Sequence, residues 1–426
     1  MVSVFWFRRD LRLYDNTALN KALESGYKVL PIFIFDQNII DELPADDPRI
    51  SFIYDTLFKI NKELNQYGSS LKIIKGDPIK VWKELISEFE IEHVFWNKDY
   101  EPYAVSRDNQ IKQLLSTKGI KFSDFKDQVI FEENDILKAD GKPYTIFTPY
   151  KNKCLQKLNQ LSIKVDVQVN FELFYSSIFP FPALSDIGFK KSQIKVKDFC
   201  LDHLEQYAAK RDYPFDDVTS YLSPHLRFGT VSIRKIFNEL KTSDEVFQSE
   251  LIWREFFMQI LFHFPDVLNE NFKRKYDGIR WRNNESDFKL WCLGKTGYPL
   301  VDAGMRQLNQ TGYMHNRVRM ITASFLVKHL LIDWRWGEAY FAQKLLDYEL
   351  SSNNGNWQWA AGTGCDAAPY FRIFNPIEQL KKFDKDLRYV KKWIPEFGTT
   401  KYPEPIVEHK FARERALKTY KEGIRA

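Results

Sequence analysis

The chain has 426 residues, enough for two well-buried cores, because domains usually contain roughly 100–200 residues. Its 62 lysines and arginines exceed its 57 aspartates and glutamates, and this mild basic excess permits contact with a polyanion without establishing it. The four cysteines, Cys154, Cys200, Cys292 and Cys365, stand singly, which argues against a disulfide framework and a zinc module. We expect neither a signal peptide nor a membrane span, and therefore a soluble cytoplasmic protein.

The first third of the chain alternates short apolar runs with amphipathic helical patterns, as in a parallel sheet with helices on both faces. The predicted strands are Val2–Phe7, Val29–Phe35, Leu71–Ile74, His93–Trp96 and Phe122–Asp124. The predicted helices between them are Asp15–Ser25, Arg49–Tyr67, Ile79–Phe89 and Tyr103–Thr117. We predict a doubly wound, five-stranded parallel-sheet domain over residues 1–127. No GxGxxG motif follows the first strand, so this sheet is not expected to hold NAD in the usual way.

Residues 128–197 lose this periodicity and include the Pro-punctuated stretch Phe179–Pro182, which predicts an interdomain linker over the surface. Helical patterns dominate residues 198–426, and this predicts a large all-helical second domain. Its predicted helices are Ser232–Leu240, Glu250–Phe264, Tyr298–Gln310, His315–Ile332 and Glu338–Leu346. The predicted fold class is therefore an α/β domain followed by an all-α domain.

Two pairs of side chains share a helix face by their spacing. Glu250 and Trp253 are three residues apart, and Asn316 and Met320 are four apart. If they point into one cavity, they offer hydrogen bonds to a base edge and an indole for stacking. An ordinary amphipathic core explains the same spacing, and the spacing alone favours that simpler interpretation.

Further polar positions are open to two interpretations each. Arg319 and Asp347 lie among apolar neighbours and are candidates for a buried ion pair, which is structural in the simpler case. The segment Ser351–Trp359 is rich in small polar residues and tryptophan, a composition more typical of a ligand site than of a helix interior. Hydroxyl groups that either cap a helix or hold a phosphate precede Pro224, at Thr219, Ser220 and Ser223.

Neither metal nor nucleophile chemistry is indicated, because the seven histidines show no paired ligand spacing and no Ser or Cys lies in an elbow motif. The segments Lys273–Arg282 and Lys381–Lys392 mix basic and aromatic residues, as nucleic-acid surfaces do. Most such runs are solvated faces, so neither segment decides the function.

Several longer motifs stand together in one order along the chain. They are Phe5–Arg12, Gly294–Pro299, Met314–Met320, Asn353–Trp359 and Asp366–Arg372. With them the chain resembles the photolyase and cryptochrome family over nearly its whole length. It is most similar to the microbial photolyases, of class I type, that repair cyclobutane pyrimidine dimers (CPDs) in DNA.

The resemblance implies FAD, active as FADH⁻, in the helical domain. Residues that match its phosphate-side contacts are Tyr207, Thr219, Ser220 and Ser223, and those that match positions beside the flavin are Arg319, Asp347, Glu349 and Asn353. Asn353 would face flavin N5, and it favours repair because cryptochromes often have Asp or Cys there. A second, antenna chromophore of unknown identity (folate, deazaflavin or flavin) is a further expectation, with Glu101 near its site unless that residue only caps a helix.

The resemblance also implies a substrate and a reaction. Light-excited FADH⁻ would pass an electron to a CPD that is flipped out of the duplex, as in this family, the cyclobutane ring would split, and the electron would return to the flavin. The matching lesion pocket is Glu250, Trp253, Asn316, Met320 and Trp359. Glu250, expected to be protonated in a desolvated pocket, would stabilise the dimer radical anion.

The tryptophan relay of the family is matched by Trp281, Trp334 and Trp357. DNA contacts are matched by the arginines Arg211, Arg254 and Arg317, together with Glu250, Trp253, Asn316 and Trp359. Damaged DNA is thus the expected partner, and we expect a monomer with no obligate protein partner and no membrane contact.

Glu349 and Phe257 depart from the family pattern, since many relatives have Asp and Tyr there, but both changes are conservative. His315-Asn316 stands where the 6-4 photolyases have two histidines, and the DASH-type signature is absent. The rival function is a cryptochrome that senses blue light without repair. Asn353, the complete lesion pocket and the lack of a long tail beyond Ala426 argue against that rival.

Overall fold

The computed structural model describes residues 1–166 and 168–425, which form two compact units. The first unit contains Met1–Asp135, Gln156–Phe199 and Tyr221–Lys241, and the second contains Ile136–Leu155, Cys200–Ser220 and the chain from Thr242 onward. This division differs from the predicted domain boundaries, and residues 128–135 and 156–197 of the predicted linker belong to the first unit. Residues 136–155 belong to the second unit rather than to a linker, and residues 221–241 pack with the first unit.

A five-stranded parallel sheet lies at the centre of the first unit, in the order β3-β2-β1-β4-β5. Its strands are β1 (Val2–Phe7), β2 (Val29–Asp36), β3 (Lys72–Gly76), β4 (Ile91–Asn97) and β5 (Lys121–Phe125). β1 and β2 are buried along their whole length, which explains their nearly continuous apolar sequences. The predicted doubly wound sheet is confirmed, with strand ends that shift by one or two residues.

Alternate residues of β1 enter two separate cores, one on each face of the sheet. Phe5 and Phe7 pack with α1 (Thr17–Leu23) and α3 (Pro48–Asn65), whereas Trp6 packs with α4 (Pro78–Glu88) and α5 (Pro102–Thr117). The remaining helices of this unit are α2 (Gln37–Ile40), α8 (Leu222–Phe228) and α9 (Ile233–Glu239), with a 3₁₀ turn at Phe171–Leu173.

The second unit is helical, as predicted. Its helices are α6 (Phe147–Leu158, up to Leu155), α7 (Leu204–Lys210), α10 (Glu245–His263), α11 (Glu285–Cys292), α12 (Pro299–Thr311), α13 (Asn316–Ser324), α14 (Trp334–Lys344), α15 (Leu350–Ala361), α16 (Pro376–Phe383), α17 (Arg388–Trp393) and α18 (His409–Gly423). Short 3₁₀ turns occur at Thr242–Asp244, Pro265–Leu268 and Arg274–Tyr276. The main core includes Trp291, Trp334 and Trp357, each at most 2% exposed.

The helix predicted over His315–Ile332 is shorter than expected. α13 ends at Ser324, a π-helical turn follows at Phe325–His329, and Leu331 has a positive φ of 51° that ends the helical run. Helix α6 lies inside the stretch that we interpreted as a linker, and its buried residues are Phe147, Tyr150 and Cys154. Among the helices of the described residues, none is both long and apolar enough to cross a membrane.

Candidate active site

A cavity that is open to solvent lies in the second unit. It is lined by Asn316, Arg319, Met320, Ala323, Phe341, Leu345, Asp347, Tyr348, Glu349, Ser352, Asn353, Asn356, Trp357, Trp359 and Ala360. The structure thus brings predicted flavin-side residues together with three of the predicted lesion residues, Asn316, Met320 and Trp359. Helices α13, α14 and α15 supply most of this lining.

Helix α15 carries the small polar residues and tryptophans that the sequence marked as unlike a helix interior. The segment is helical because its buried amides bond outside the helix instead of to its own backbone. Nδ2 of Asn354 and Nε2 of Gln358 donate to the carbonyl oxygen of Val267, at 3.0 and 2.9 Å. These bonds fix the helix while Asn353 and Trp359 line the cavity.

The orientation of the Asn353 amide is set by one neighbour on α14. Nδ2 of Asn353 donates to Oε1 of Glu338 at 2.8 Å and to the backbone oxygen of Glu338 at 3.1 Å. Burial raises the pKa of Glu338, and the hydrogen bond from Asn353 opposes that shift. Since both bonds are donated by Nδ2, the amide oxygen of Asn353 can accept a hydrogen bond from a ligand.

Two charged residues of the cavity form an ion pair, as predicted. Nη2 of Arg319 lies 2.9 Å from Oδ2 of Asp347, and Nε of Arg319 donates to the backbone oxygen of Met314 at 2.8 Å. His315 caps α13 by accepting from the backbone N–H of Arg317, and burial lowers the pKa of His315 to about 4. Helix α13 therefore presents a fixed guanidinium to the cavity and a neutral imidazole at its start.

Trp253 on α10 is stacked on a residue that sequence reasoning did not single out. The ring centroids of Trp253 and Phe147 are 3.5 Å apart, with an angle of 10° between the planes. Trp253 also contacts Phe257, whose ring comes so close to α15 that a Cβ on Gly355 would meet it at 2.1 Å. This close approach of α10 and α15 depends on glycine at position 355.

Glu250 lies one turn before Trp253 and forms an ion pair with Arg211. Nη1 of Arg211 donates to Oε1 of Glu250 at 2.7 Å, and both side chains are about one-third exposed. Burial, together with the charge of Glu250, raises the pKa of the neighbouring Tyr207 to about 12. The neutral Glu250 that we expect belongs to a pocket that holds the dimer, and it stays a prediction.

Arg317, a second of the three arginines that we predicted to contact DNA, is also paired. Nη2 of Arg317 donates to Oδ1 of Asp212 at 2.6 Å, and Arg388 bonds to Asp216 at 3.3 Å. The segment between α7 and α8 therefore supplies carboxylates to two arginines of the second unit. Arg254, the third predicted arginine, follows Trp253 on α10.

The three relay tryptophans occupy different surroundings. Trp357 is buried against Phe341 and Trp291, with ring centroids 5.0 and 6.1 Å away. Trp334 is 1% exposed, and its Nε1 donates to Oδ1 of Asn271 at 3.0 Å. Trp281 is partly buried and packs with its ring against that of Tyr420 at 5.9 Å.

The predicted phosphate-side residues are divided between the two units. Tyr207, Thr219 and Ser220 belong to the second unit, but they are not among the residues that line the cavity. Ser223 lies in α8 of the first unit. Within the first unit, Glu101 begins α5 without a capping bond from its side chain, and its carboxylate pairs with Arg9 at 3.0 Å.

Sequence reasoning missed Phe147, Glu338 and Asp212. The spacing of Phe147, Tyr150 and Cys154 is that of a helix face, and it was the available signal for α6. No local pattern pointed to Glu338 or Asp212, because their partners are 15 and 105 residues away in sequence. Within the described residues, no three His, Cys, Asp or Glu side chains gather as metal ligands would.

Comparison with known proteins agrees with this fold. The chain matches the family described as DNA photolyase over residues 3–168, and the FAD binding domain of DNA photolyase over residues 247–401. This protein therefore belongs to the DNA photolyase family.

Its relatives include a deoxyribodipyrimidine photo-lyase from Agrobacterium fabrum, 38% identical over 98% of this chain and 97% of that protein. The Escherichia coli protein of the same name is 36% identical over 97% of each chain. A bacterial class III photolyase structure from Agrobacterium tumefaciens superposes with a TM-score of 0.89 at 36% identity, covering 100% of this chain and 98% of that one. A cryptochrome structure from Synechocystis has a TM-score of 0.86 at 25% identity, with 98% and 99% coverage.

Proposed function

We propose that this protein is a deoxyribodipyrimidine photo-lyase, which uses light to repair cyclobutane pyrimidine dimers in DNA. One observation carries the proposal: Asn316, Met320 and Trp359 line the same cavity as Asn353 and the pair of Arg319 with Asp347. That cavity combines groups that recognise a base with groups that suit a redox cofactor. Relatives of that name match this chain over nearly its full length.

The cofactor is FAD in its reduced form, and the side chains of the cavity fit a flavin. The 8% exposed Asn353 presents an amide oxygen, Arg319 presents a guanidinium, and Phe341 and Leu345 are apolar. When bound, reduced FAD supplies the light-driven electron that splits the dimer. Beside the flavin we assign Arg319, Asp347, Glu349 and Asn353, and on the phosphate side Tyr207, Thr219, Ser220 and Ser223.

The amide of Asn353 has a defined task in this assignment. Glu338 accepts the hydrogen bonds from Nδ2 of Asn353. The amide oxygen of Asn353 can therefore accept a hydrogen bond from an N–H group, such as N5–H of a reduced flavin. An acceptor at this point favours the reduced cofactor over an oxidised one, which has no N–H there. A second chromophore that collects light is compatible with this assignment, and its identity is left to experiment.

The lesion pocket holds the flipped dimer next to the cofactor. Trp253 and Trp359 stack on its bases, Glu250 and Asn316 bond to their polar edges, and Met320 fills the remaining space. Stacking and hydrogen bonding orient the dimer, while the aromatic walls exclude water from the reacting bonds. Glu250 must leave Arg211 before it can bond to a base.

Two further sets of residues support the reaction. Trp357, Trp334 and Trp281 carry an electron from the surface to keep the cofactor reduced. Arg211, Arg254 and Arg317 hold the DNA backbone around the lesion, and such contacts position the strand without reading its sequence. We propose that the protein works as a monomer in the cytoplasm.

Blue-light repair of an oligonucleotide with one thymine dimer tests the proposal. The anaerobically reduced holoenzyme is illuminated, a dark sample is the control, and intact thymines are quantified. We expect their restoration only in the light. Tight FAD binding without restoration would instead indicate a light receptor of the cryptochrome kind, a possibility kept open by the likeness to the Synechocystis protein.

A further inference from the structure

Phe147, the first residue of α6, covers one face of the Trp253 indole. The two rings are nearly parallel, at 10°, with centroids 3.5 Å apart, and Phe147 itself is only 6% exposed. Trp253 remains partly exposed, so part of its indole is open for a ligand. Trp253 thus offers an aromatic surface for stacking, and we call the ring of Phe147, which covers one face of it, the backing ring.

Phe147 is held at both its backbone and its ring. Its N–H donates to Oδ2 of Asp366 at 3.0 Å, in the loop that follows α15. Its ring packs edge-on against Phe256, at 5.7 Å, and Phe256 in turn contacts Tyr150, one turn further along α6. The position of the backing ring is therefore fixed from two sides.

A fixed backing ring restricts the rotation of Trp253 about its side-chain bonds. An indole that is already oriented loses less conformational freedom when a base stacks on it, so the complex is tighter. The gain applies only to a ligand that uses this indole. A base that is flipped into the pocket uses it, whereas a base that remains in the duplex does not.

We infer that Phe147 is a positioning residue that orients Trp253 and thereby sets the preference for dimer-containing DNA over intact DNA. This inference rests on the proposed function, because it assigns the stacking surface to the flipped dimer. Phe147 acts on the lesion pocket from outside, through its contact with Trp253.

The test is the affinity of the holoenzyme variant Phe147→Leu for two oligonucleotides in the dark, one with a thymine dimer and one without. We expect the Kd for dimer DNA to rise about 3- to 10-fold, which corresponds to about 0.7–1.4 kcal/mol. The Kd for intact DNA and the repair yield per absorbed photon at saturating DNA should not change.

Three further variants separate positioning from general packing. Phe147→Tyr keeps the stacked ring and should restore the preference, and Asp366→Asn, which weakens only the backbone bond, should lose part of it. Phe325→Leu removes a buried ring elsewhere in the second unit, one that packs on Tyr298 and His329, and it should lower the melting temperature without a comparable loss of preference.

Equal weakening of both DNAs in Phe147→Leu, or an unchanged Kd for dimer DNA, would overturn the inference. If Phe147→Leu fails to fold, Asp366→Asn and Phe147→Tyr decide the question by the same two affinities. The dark affinities are independent of repair. A protein that prefers dimer DNA through Phe147 but never repairs it would contradict only the proposed function.

Discussion

Oε1 of Glu250 lies 2.7 Å from Nη1 of Arg211. The residue that we assign to a base of the dimer is therefore ion-paired with a residue that we assign to the DNA backbone. For both to act on DNA, the pair must open, with Arg211 exchanging a carboxylate for a phosphate. Glu250 then becomes available to a base at the moment when the backbone is gripped. The proposed function therefore predicts that recognition of the strand and of the lesion are coupled through this exchange.

Replacement of Glu250 distinguishes its proposed role in the reaction from its contribution to DNA binding. Glu250→Ala should reduce the repair yield per absorbed photon several-fold, because the dimer loses a hydrogen bond as negative charge develops on it. Dark binding should change by about fivefold at most, since a partly exposed ion pair contributes about 0.2–1 kcal/mol. Glu250→Gln is the matched variant, and it should retain more of the yield because its amide can still bond. An unchanged yield in Glu250→Ala would remove Glu250 from the reaction.

Arg317→Gln should weaken the binding of damaged and intact DNA to a similar extent. Loss of one phosphate contact should reduce the slope of log K against log salt concentration by about 0.9. The slope is measured from titrations at several salt concentrations. Lys418→Gln is the control, because Lys418 is also basic and paired, with Glu422, but lies on α18. If both variants shift the slope equally, Arg317 has no special contact with DNA.

The tryptophan relay predicts that Trp334→Phe loses photoreduction of oxidised FAD. The chemically reduced variant should still repair dimers, because the relay serves the cofactor and not the lesion. Flavin absorption during illumination with an external donor gives the rate. Trp291→Phe is an informative comparison, since Trp291 is equally buried and contacts Trp357. Loss of photoreduction in Trp291→Phe, without a loss in Trp334→Phe, would mean that the electron passes through Trp291 and not through Trp334.

His315 should make the stability of the protein depend on pH. Burial lowers its pKa to about 4 in the folded state, from an ordinary value near 6.5. Between these values the unfolded chain binds a proton that the folded chain does not, so stability falls as pH falls from 6.5 towards 4. Because the side chain is only partly buried, we expect a loss of about 1–2 kcal/mol.

His315→Asn provides the comparison, because Asn keeps a capping oxygen and does not titrate. The free energy of unfolding is measured by denaturant titration at pH 7 and at pH 4.5 for both proteins. The variant should lose less stability over this interval than the parent. Identical losses would mean that His315 is not the group responsible.

Gly355→Ala should destabilise the second unit. The added Cβ would lie 2.1 Å from the ring of Phe257, and such overpacking typically costs about 1–3 kcal/mol, more than the gain from helix propensity. A lower melting temperature is expected, together with weaker binding of dimer DNA, because Phe257 contacts Trp253. Asn356→Ala, at the next and exposed position, should leave the melting temperature nearly unchanged.

The sheet and the helices α13 and α14 were predictable because their signals are local, whereas α15 was not among the predicted helices. β1 and β2 are nearly continuous apolar runs, and Asn316 and Met320 lie one helical turn apart on α13. The likeness to a known family supplied the roles that spacing alone did not, since the spacing by itself favoured an ordinary core.

The parts that could not be predicted depend on partners far apart in sequence. Arg234 bonds to Asp15 and Asp127 within the first unit, and these contacts explain why residues 221–241 belong there. Phe147 reaches Trp253 from a helix whose apolar positions are interrupted by lysines. The ion pair of Glu250 with Arg211 is likewise invisible to a local pattern.

The interleaving of the two units along the chain has a consequence for synthesis. The first unit is complete only when residue 241 has been made, by which point α6 of the second unit has long been available. Phe147 must then remain without its stacking partner until α10 leaves the ribosome. A fragment that starts near residue 198 would lack the ring of Phe147 altogether. No single break in the chain separates the first unit from the second.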